Sequence, residues 1–153
     1  MRLPEMAERL FLVFQEPSAQ LFSPTIEDEL CFAPENLLWE REKIEPALTA
    51  ALQRVGLTPF RYSSPDCLSG GQQQLATMGA AFVTSPKIYL FDEALSQLDD
   101  DTRGQLLSFI TELAEQGNAV VMVEHNSANM EIAHRILRFE DGILKEEKNR
   151  SLR

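Results

Sequence analysis

Cysteine is scarce: Cys31 and Cys67 are the only two, too few for a disulfide scaffold and not spaced as a metal knuckle. Both read as inert thiols. Basic residues are outnumbered, fourteen Lys and Arg against twenty-four Asp and Glu, for a formal net charge of −10. Such a surface repels phosphate backbones and anionic headgroups, which argues against broad nucleic-acid binding and direct lipid attachment. No apolar run approaches the roughly 20 residues that span a bilayer. The opening Met1-Arg2-Leu3-Pro4-Glu5 sets a proline and an acid where a signal peptide needs an apolar stretch, so a soluble, cytosolic chain is expected. None of the seven glycines precedes a lysine. The chain therefore holds no phosphate-cradling loop of the Gly-Lys-Ser/Thr type.

What is present is an ordinary globular composition. The 153 residues are 44% hydrophobic and 25% charged, enough for one domain with a real core. Internal repeats and low-complexity segments are missing. Leu10-Phe11-Leu12-Val13-Phe14 is a continuous apolar run, the pattern of a strand buried on both faces, as in a parallel sheet. Thr25 followed by Asp28 predicts a short capped helix carrying Ile26 and Leu30. Ile44, Leu48, Ala51, Leu52 and Val55 form one stripe closed by Gly56, and Pro46 places the start of that helix nearby. Ser69 and Gln72 have capping-box spacing ahead of Leu75, Met78, Phe82 and Val83, a helix that Pro86 stops. Ile88–Phe91 reads as a second buried strand and Ala119–Val123 as a third strand. Between them Asp99, Asp100 and Asp101 open a helix with Leu106, Ile110 and Leu113 inward and Gly117 at its end. A short helix follows, then a hairpin of Arg135–Phe139 and Ile143–Lys145 around Asp141-Gly142. The tail from Glu146 is charged and expected to fray.

Strand–helix alternation predicts an α/β protein with a mostly parallel sheet. Gln15, Asp92-Glu93 and His125 all fall at the carboxyl ends of strands, where open α/β folds place ligands. Singly these residues say little. Asp92-Glu93 also reads as a helix cap, Ser69-Gly70-Gly71-Gln72 as a loop and capping box, and His125 or Gln15 as an ordinary polar residue. Asp99-Asp100-Asp101 reads in part as a solvated helix start.

Together and in order they resemble the ATP-binding-cassette (ABC) ATPase family, from about Leu10 to Lys145. Gln15 matches the Q-loop glutamine and Leu68-Ser69-Gly70-Gly71-Gln72 the signature motif. Ile88-Tyr89-Leu90-Phe91-Asp92-Glu93 resembles the Walker B strand, Ser96-Gln97-Leu98-Asp99 the D-loop, and His125 the switch histidine. The resemblance implies a partial P-loop ATPase core plus the family's helical subdomain and a C-terminal hairpin. Its parts would be a Q-loop strand over 10–15, a helical subdomain over 16–84, the Walker B to switch-histidine half over 85–146, and a tail over 147–153. It implies ATP and Mg²⁺ as cofactors. Asp92, with Gln15, would hold the metal, and Glu93 would be the general base assisted by His125 and Gln15. Ser69, Gly70, Gly71 and Gln72, at a helix N-terminus, would meet the γ-phosphate bound by a second ATPase subunit of a dimer, with Asp99 at the seam.

Departures from the family pattern are Ala94-Leu95 after the glutamate, Leu75 in the signature helix and Asn126 after the histidine. The missing Gly-Lys-Ser/Thr loop makes the chain look like the back part of such a domain. Tight nucleotide binding by this chain alone is not expected, and an uncovered sheet would favour self-association or a partner. The stretch Val13-Phe14-Gln15-Glu16-Pro17-Ser18-Ala19-Gln20-Leu21-Phe22-Ser23-Pro24-Thr25-Ile26 and the later Phe32-Ala33-Pro34-Glu35-Asn36-Leu37 resemble energy-coupling-factor importers of metal ions or vitamins. That likeness implies a transmembrane subunit docked near Gln15–Leu37 and a position at the inner face of the membrane through it. Three readings follow: an importer ATPase subunit, a non-catalytic module lending its signature motif or docking a membrane subunit, and a DNA-repair or chromosome-maintenance ATPase. The last is weakest, for an acidic chain lacking coiled-coil or zinc insertions.

Overall fold

The computed structural model describes residues 6–147. The opening residues 1–5 and the charged tail from 148 onward lie outside the described residues, whereas Glu146 and Glu147, expected to fray, pair with Leu137 and Ile136 in the C-terminal hairpin. Three parallel strands, β1 (Leu10–Val13), β2 (Ile88–Asp92) and β3 (Ala119–Val123), form a sheet in the order β1-β2-β3. Three helices separate β1 from β2: α1 (Ile26–Asn36), α2 (Arg41–Arg54) and α3 (Gly70–Thr84). A fourth, α4 (Asp100–Glu115), joins β2 to β3, and β4 (Ile136–Glu140) pairs antiparallel with β5 (Ile143–Glu147).

Local chemistry accounts for most boundaries. Thr25 caps α1 by accepting from the Asp28 N–H at 3.1 Å, and three acids in the first turn face the positive end of the helix dipole. The helix is longer than the cap alone predicts, running through Pro34, which sits in the last turn and forfeits only one backbone bond. α2 corrects the expectation drawn from Pro46. It starts at Arg41, where the Ile44 N–H reaches the Glu40 carbonyl at 3.2 Å and the Lys43 ammonium sits 3.4 Å above the Trp39 ring. That extra turn holds, and Pro46 is carried inside the helix. α3 has the full capping box of Ser69 and Gln72 and ends at Ser85, left-handed at φ 48, just before Pro86. Asp141 (φ 49) and Gly142 (φ 78) turn the hairpin, the combination a tight two-residue turn demands.

Packing divides the molecule. Ile26 and Leu30 of α1, Leu48 and Leu52 of α2, and Met78 and Ala81 of α3 are buried together. A methyl at Gly79 would lie 3.1 Å from the Leu30 side chain, so glycine lets α3 approach α1 closely. Arg54 stacks on Phe82 at 3.9 Å and pairs with Glu112 at 2.6 Å, tying α2 and α3 to α4. Cys31 lies in this core. Burial, then the nearby Glu35 carboxylate, pushes its thiol pKa up to about 11, which keeps it protonated and unreactive.

The sheet departs from the expected two-sided burial. Phe11, Val13, Tyr89, Phe91, Val120 and Met122 face the helices. The opposite face, through the register row Leu12–Leu90–Val121, is less covered: Leu12 and Leu90 are half-buried, and Val121 and Val123 are 54% and 56% exposed. An apolar run makes both faces of a strand suitable for burial; whether both are buried depends on a second layer.

Candidate functional site

Parallel register brings the carboxyl ends of all three strands to one edge. Val13 pairs with Phe91 and Phe91 with Met122, so Gln15, Asp92-Glu93 and His125 leave the sheet side by side. Glu93 follows β2 with a left-handed backbone, φ 50, a conformation that costs a non-glycine residue energy and that clusters at functional sites. Its N–H donates to the Val123 carbonyl at 3.0 Å. That bond locks the turn to β3, and Glu93 Oε2 lies 3.8 Å from His125 Nδ1. The imidazole is 70% exposed and the Glu93 side chain 37%. The pair thus stands at the surface of the edge, where water has access.

Asp92 ends β2, exposed, and its side chain has neither hydrogen bond nor ion pair among the described residues. Gln15 is likewise exposed, and its loop is clamped by two other glutamines. Gln20 donates to the Leu12 carbonyl at 2.7 Å and accepts from the Phe14 N–H at 3.3 Å, while Gln74 of α3 donates to the Phe14 carbonyl at 3.1 Å.

The signature residues stand at the N-terminus of α3. Ser69 Oγ accepts from the Gln72 N–H and Gln72 Oε1 from the Ser69 N–H, so both side chains are engaged in the cap. A methyl on Gly70 would meet nothing within 4 Å, which leaves that helix end open. Gly71 instead faces the start of α4: a methyl there would come within 2.9 Å of Thr102 Oγ1 and 3.4 Å of Asp99 Oδ2. Asp99 caps α4 by accepting from the Thr102 N–H at 2.9 Å and its hydroxyl at 2.8 Å. The first of these bonds, then the second, holds its carboxyl below the usual range.

Two residues escaped the reading of motifs. Gln74 is 99% buried in effect, with 1% of its surface exposed, and its Oε1 has no partner among the described residues. The signal was a polar residue on the apolar stripe of Met78. Glu124, beside His125, has a side chain only 3% exposed; its parity with Val120 and Met122 on the covered face was the clue. The departures Ala94 and Leu95 are both core residues, at 3% and 2% exposure, and Leu75 packs there too.

A metal ion finds a partial donor set. No group of three or more His, Cys, Asp or Glu able to hold one occurs among the described residues. Asp92 offers one free carboxylate at a strand end, which suits Mg²⁺ retaining water and phosphate oxygens as its other ligands. A nucleotide's phosphates find no lysine-bearing loop. A cavity of about 110 Å³, lined by Arg54, Phe82, Lys87 and Asn118 among others, lies toward the opposite ends of the strands.

The architecture is that of an ABC ATPase. The structure of cbiO1 from Clostridium perfringens, described as part of the ABC transporter complex cbiONQ, matches it with a TM-score of 0.81 at 22% identity, over 92% of this chain and 57% of that one. The chain belongs to the ABC transporter family, whose model matches residues 2–96. The energy-coupling factor transporter ATP-binding protein EcfA1 of Levilactobacillus brevis is 35% identical over 144 residues, covering 94% of this chain and 52% of the relative. The corresponding EcfA of Methanosarcina acetivorans is 36% identical over 131 residues, 86% of this chain and 48% of the relative. This chain spans about half the length of these curated relatives. No helix among the described residues is long and apolar enough to cross a membrane.

Proposed function

We propose that this chain supplies the water-activating and signature-bearing part of an ABC importer's ATP-binding subunit, of the energy-coupling-factor type that takes up a metal ion or vitamin. The observation that carries the reading is the Glu93–His125 pair, 3.8 Å apart at the carboxyl edge of a parallel sheet with Glu93 in a strained backbone. In this reading Glu93 takes the proton of the attacking water. His125, from the neighbouring strand, holds the γ-phosphate, and Gln15 reports its presence through the clamped loop. Mg²⁺, taken up beside Asp92, would supply charge neutralisation on the phosphates. The open N-terminus of α3, with bare N–H groups at Gly70 and Gly71, suits an anion presented by a second ABC ATPase subunit. A transmembrane subunit docks near Gln15–Leu37, where Phe22 is 65% exposed and stacks edge-on against Phe32 at 4.7 Å, and it holds the chain at the inner face of the membrane.

The test is co-expression with an ABC ATPase subunit carrying a Gly-Lys-Ser/Thr loop and with the membrane subunits, reading phosphate release. Glu93→Gln is expected to slow turnover at least a hundredfold, with the complex still assembled; an unchanged rate sinks the proposal. The chain alone should not bind Mg-ATP at micromolar concentration. A monodisperse monomer that did so would overturn the dependence on a partner's phosphate cradle.

A non-catalytic reading is favoured by one observation, the open Gly70 end of α3 in a chain without a Gly-Lys pair. It predicts that Gly70→Asp abolishes turnover on the partner's nucleotide while Glu93→Gln leaves it intact.

A further inference from the structure

We propose that Glu124 is a positioning residue, whose buried carboxylate fixes the turn that sets the His125 imidazole against Glu93. Glu124 directly follows β3, and its side chain points to the covered face of the sheet, 3% exposed. One oxygen, Oε1, accepts from the backbone N–H groups of His125 at 2.9 Å and Asn126 at 3.0 Å. The other, Oε2, accepts from the Asn129 side-chain amide at 2.9 Å, and Asn129 is itself buried. Among the described residues no lysine or arginine pairs with this acid. The cationic form of His125, with Nδ1 3.7 Å away, is the one charge partner in reach.

A buried carboxylate is retained in such a place only if its acceptors are filled. Here three donors fill them, and two are the amides of the histidine itself and of the next residue. Burial alone would raise the carboxyl's pKa, but the bonds from Asn126, Asn129 and His125 outweigh it, so the group is held below the usual range and stays ionised. Asn126 continues the turn by accepting from the Ala128 N–H at 3.0 Å. The histidine's ring is 70% exposed, while its backbone is gripped. The meaning of this for catalysis rests on the proposed role of His125, whereas the grip stands on geometry alone.

The experiment uses the full chain and amide hydrogen exchange at His125 and Asn126. Glu124→Ala should speed exchange at both amides at least tenfold while amides of α1 keep their protection. Should that variant unfold, Glu124→Gln, of equal volume, is read in its place. Glu124→Gln should disturb the turn less than Glu124→Ala does, because a neutral amide oxygen accepts more weakly than a carboxylate from the His125 and Asn126 N–H groups, while Asn129 can turn its amide oxygen to the new NH2 group. Unchanged exchange in both variants overturns the proposal. In the assembled complex, Glu124→Gln should lower kcat with KM unchanged. If His125→Ala leaves turnover intact, the role given to His125 fails, and the exchange data still decide the role of Glu124.

Discussion

The helices between β1 and β2 and the sheet beside them are closed to different degrees. In α1, α2 and α3 the apolar stripes meet one another, and Ile26, Leu30, Met78 and Ala81 are fully buried. In the sheet one face is packed, and the other is half-buried at Leu12 and Leu90 and more than half exposed at Val121 and Val123. The comparison teaches that stability and chemistry are placed apart. The helical region holds the tightly packed core, while the polar side chains of Asp92, Glu93 and His125 stand partly or largely exposed at a sheet edge.

Truncating the helical core should produce the largest effect. Leu30→Ala is expected to cost about 2–5 kcal/mol of unfolding free energy in a denaturant titration, against under ~0.5 kcal/mol for Val121→Ala. Equal losses would mean that the open face is covered in solution, and the contrast between the two regions would disappear. Removing the α3 cap with Ser69→Ala should cost about 1 kcal/mol by the same measurement, because the Gln72 N–H loses its acceptor. A paired change on the open face, Val121→Lys with Val123→Glu, should leave the denaturation midpoint close to the parent and reduce self-association in sedimentation velocity. A lower midpoint with unchanged association would show that face to be packed.

The smallest effect is on pH dependence. The carboxyls of Glu124 and Asp99 are held below their usual ranges in the folded chain. A depressed carboxyl adds stability that is fully present above its unfolded pKa and is lost as the pH falls through the folded value. Unfolding midpoints measured across the acid range below the ordinary Glu value of 4.5 should fall more steeply for the parent than for Glu124→Gln. Parallel curves would show that Glu124 gains nothing from its three donors.

Much of the fold was legible because its causes are local. Capping at Thr25, Ser69 and Asp99, the stop at Pro86 and the turn at Asp141-Gly142 each depend on a few neighbouring residues, and each lies where the pattern set it. Pro46 misled because the chain adds a turn ahead of it, where the Ile44 N–H reaches the Glu40 carbonyl and Lys43 sits over Trp39, so the proline is carried inside the helix. None of Leu10–Val13 is exposed, whereas Val121 and Val123 of β3 are more than half exposed, because periodicity reports what a strand can bury and never what lies against it. Of the candidate site, Gln15, Asp92, Glu93 and His125 were legible as residues at strand ends. Gln74 and Glu124 were not, since a polar side chain declares itself only when its burial is known.

The sequence by itself determined the elements, their order and the identity of the motif residues, because hydrogen-bonded caps, turns and hydrophobic periods act over a handful of positions. Only the tertiary structure decided that Glu93 and His125 meet, that Glu124 is buried beneath the histidine's own backbone, and that one face of the sheet is covered more than the other. Those outcomes depend on the register between strands far apart in the chain and on which surfaces find a neighbour, neither of which any local stretch encodes.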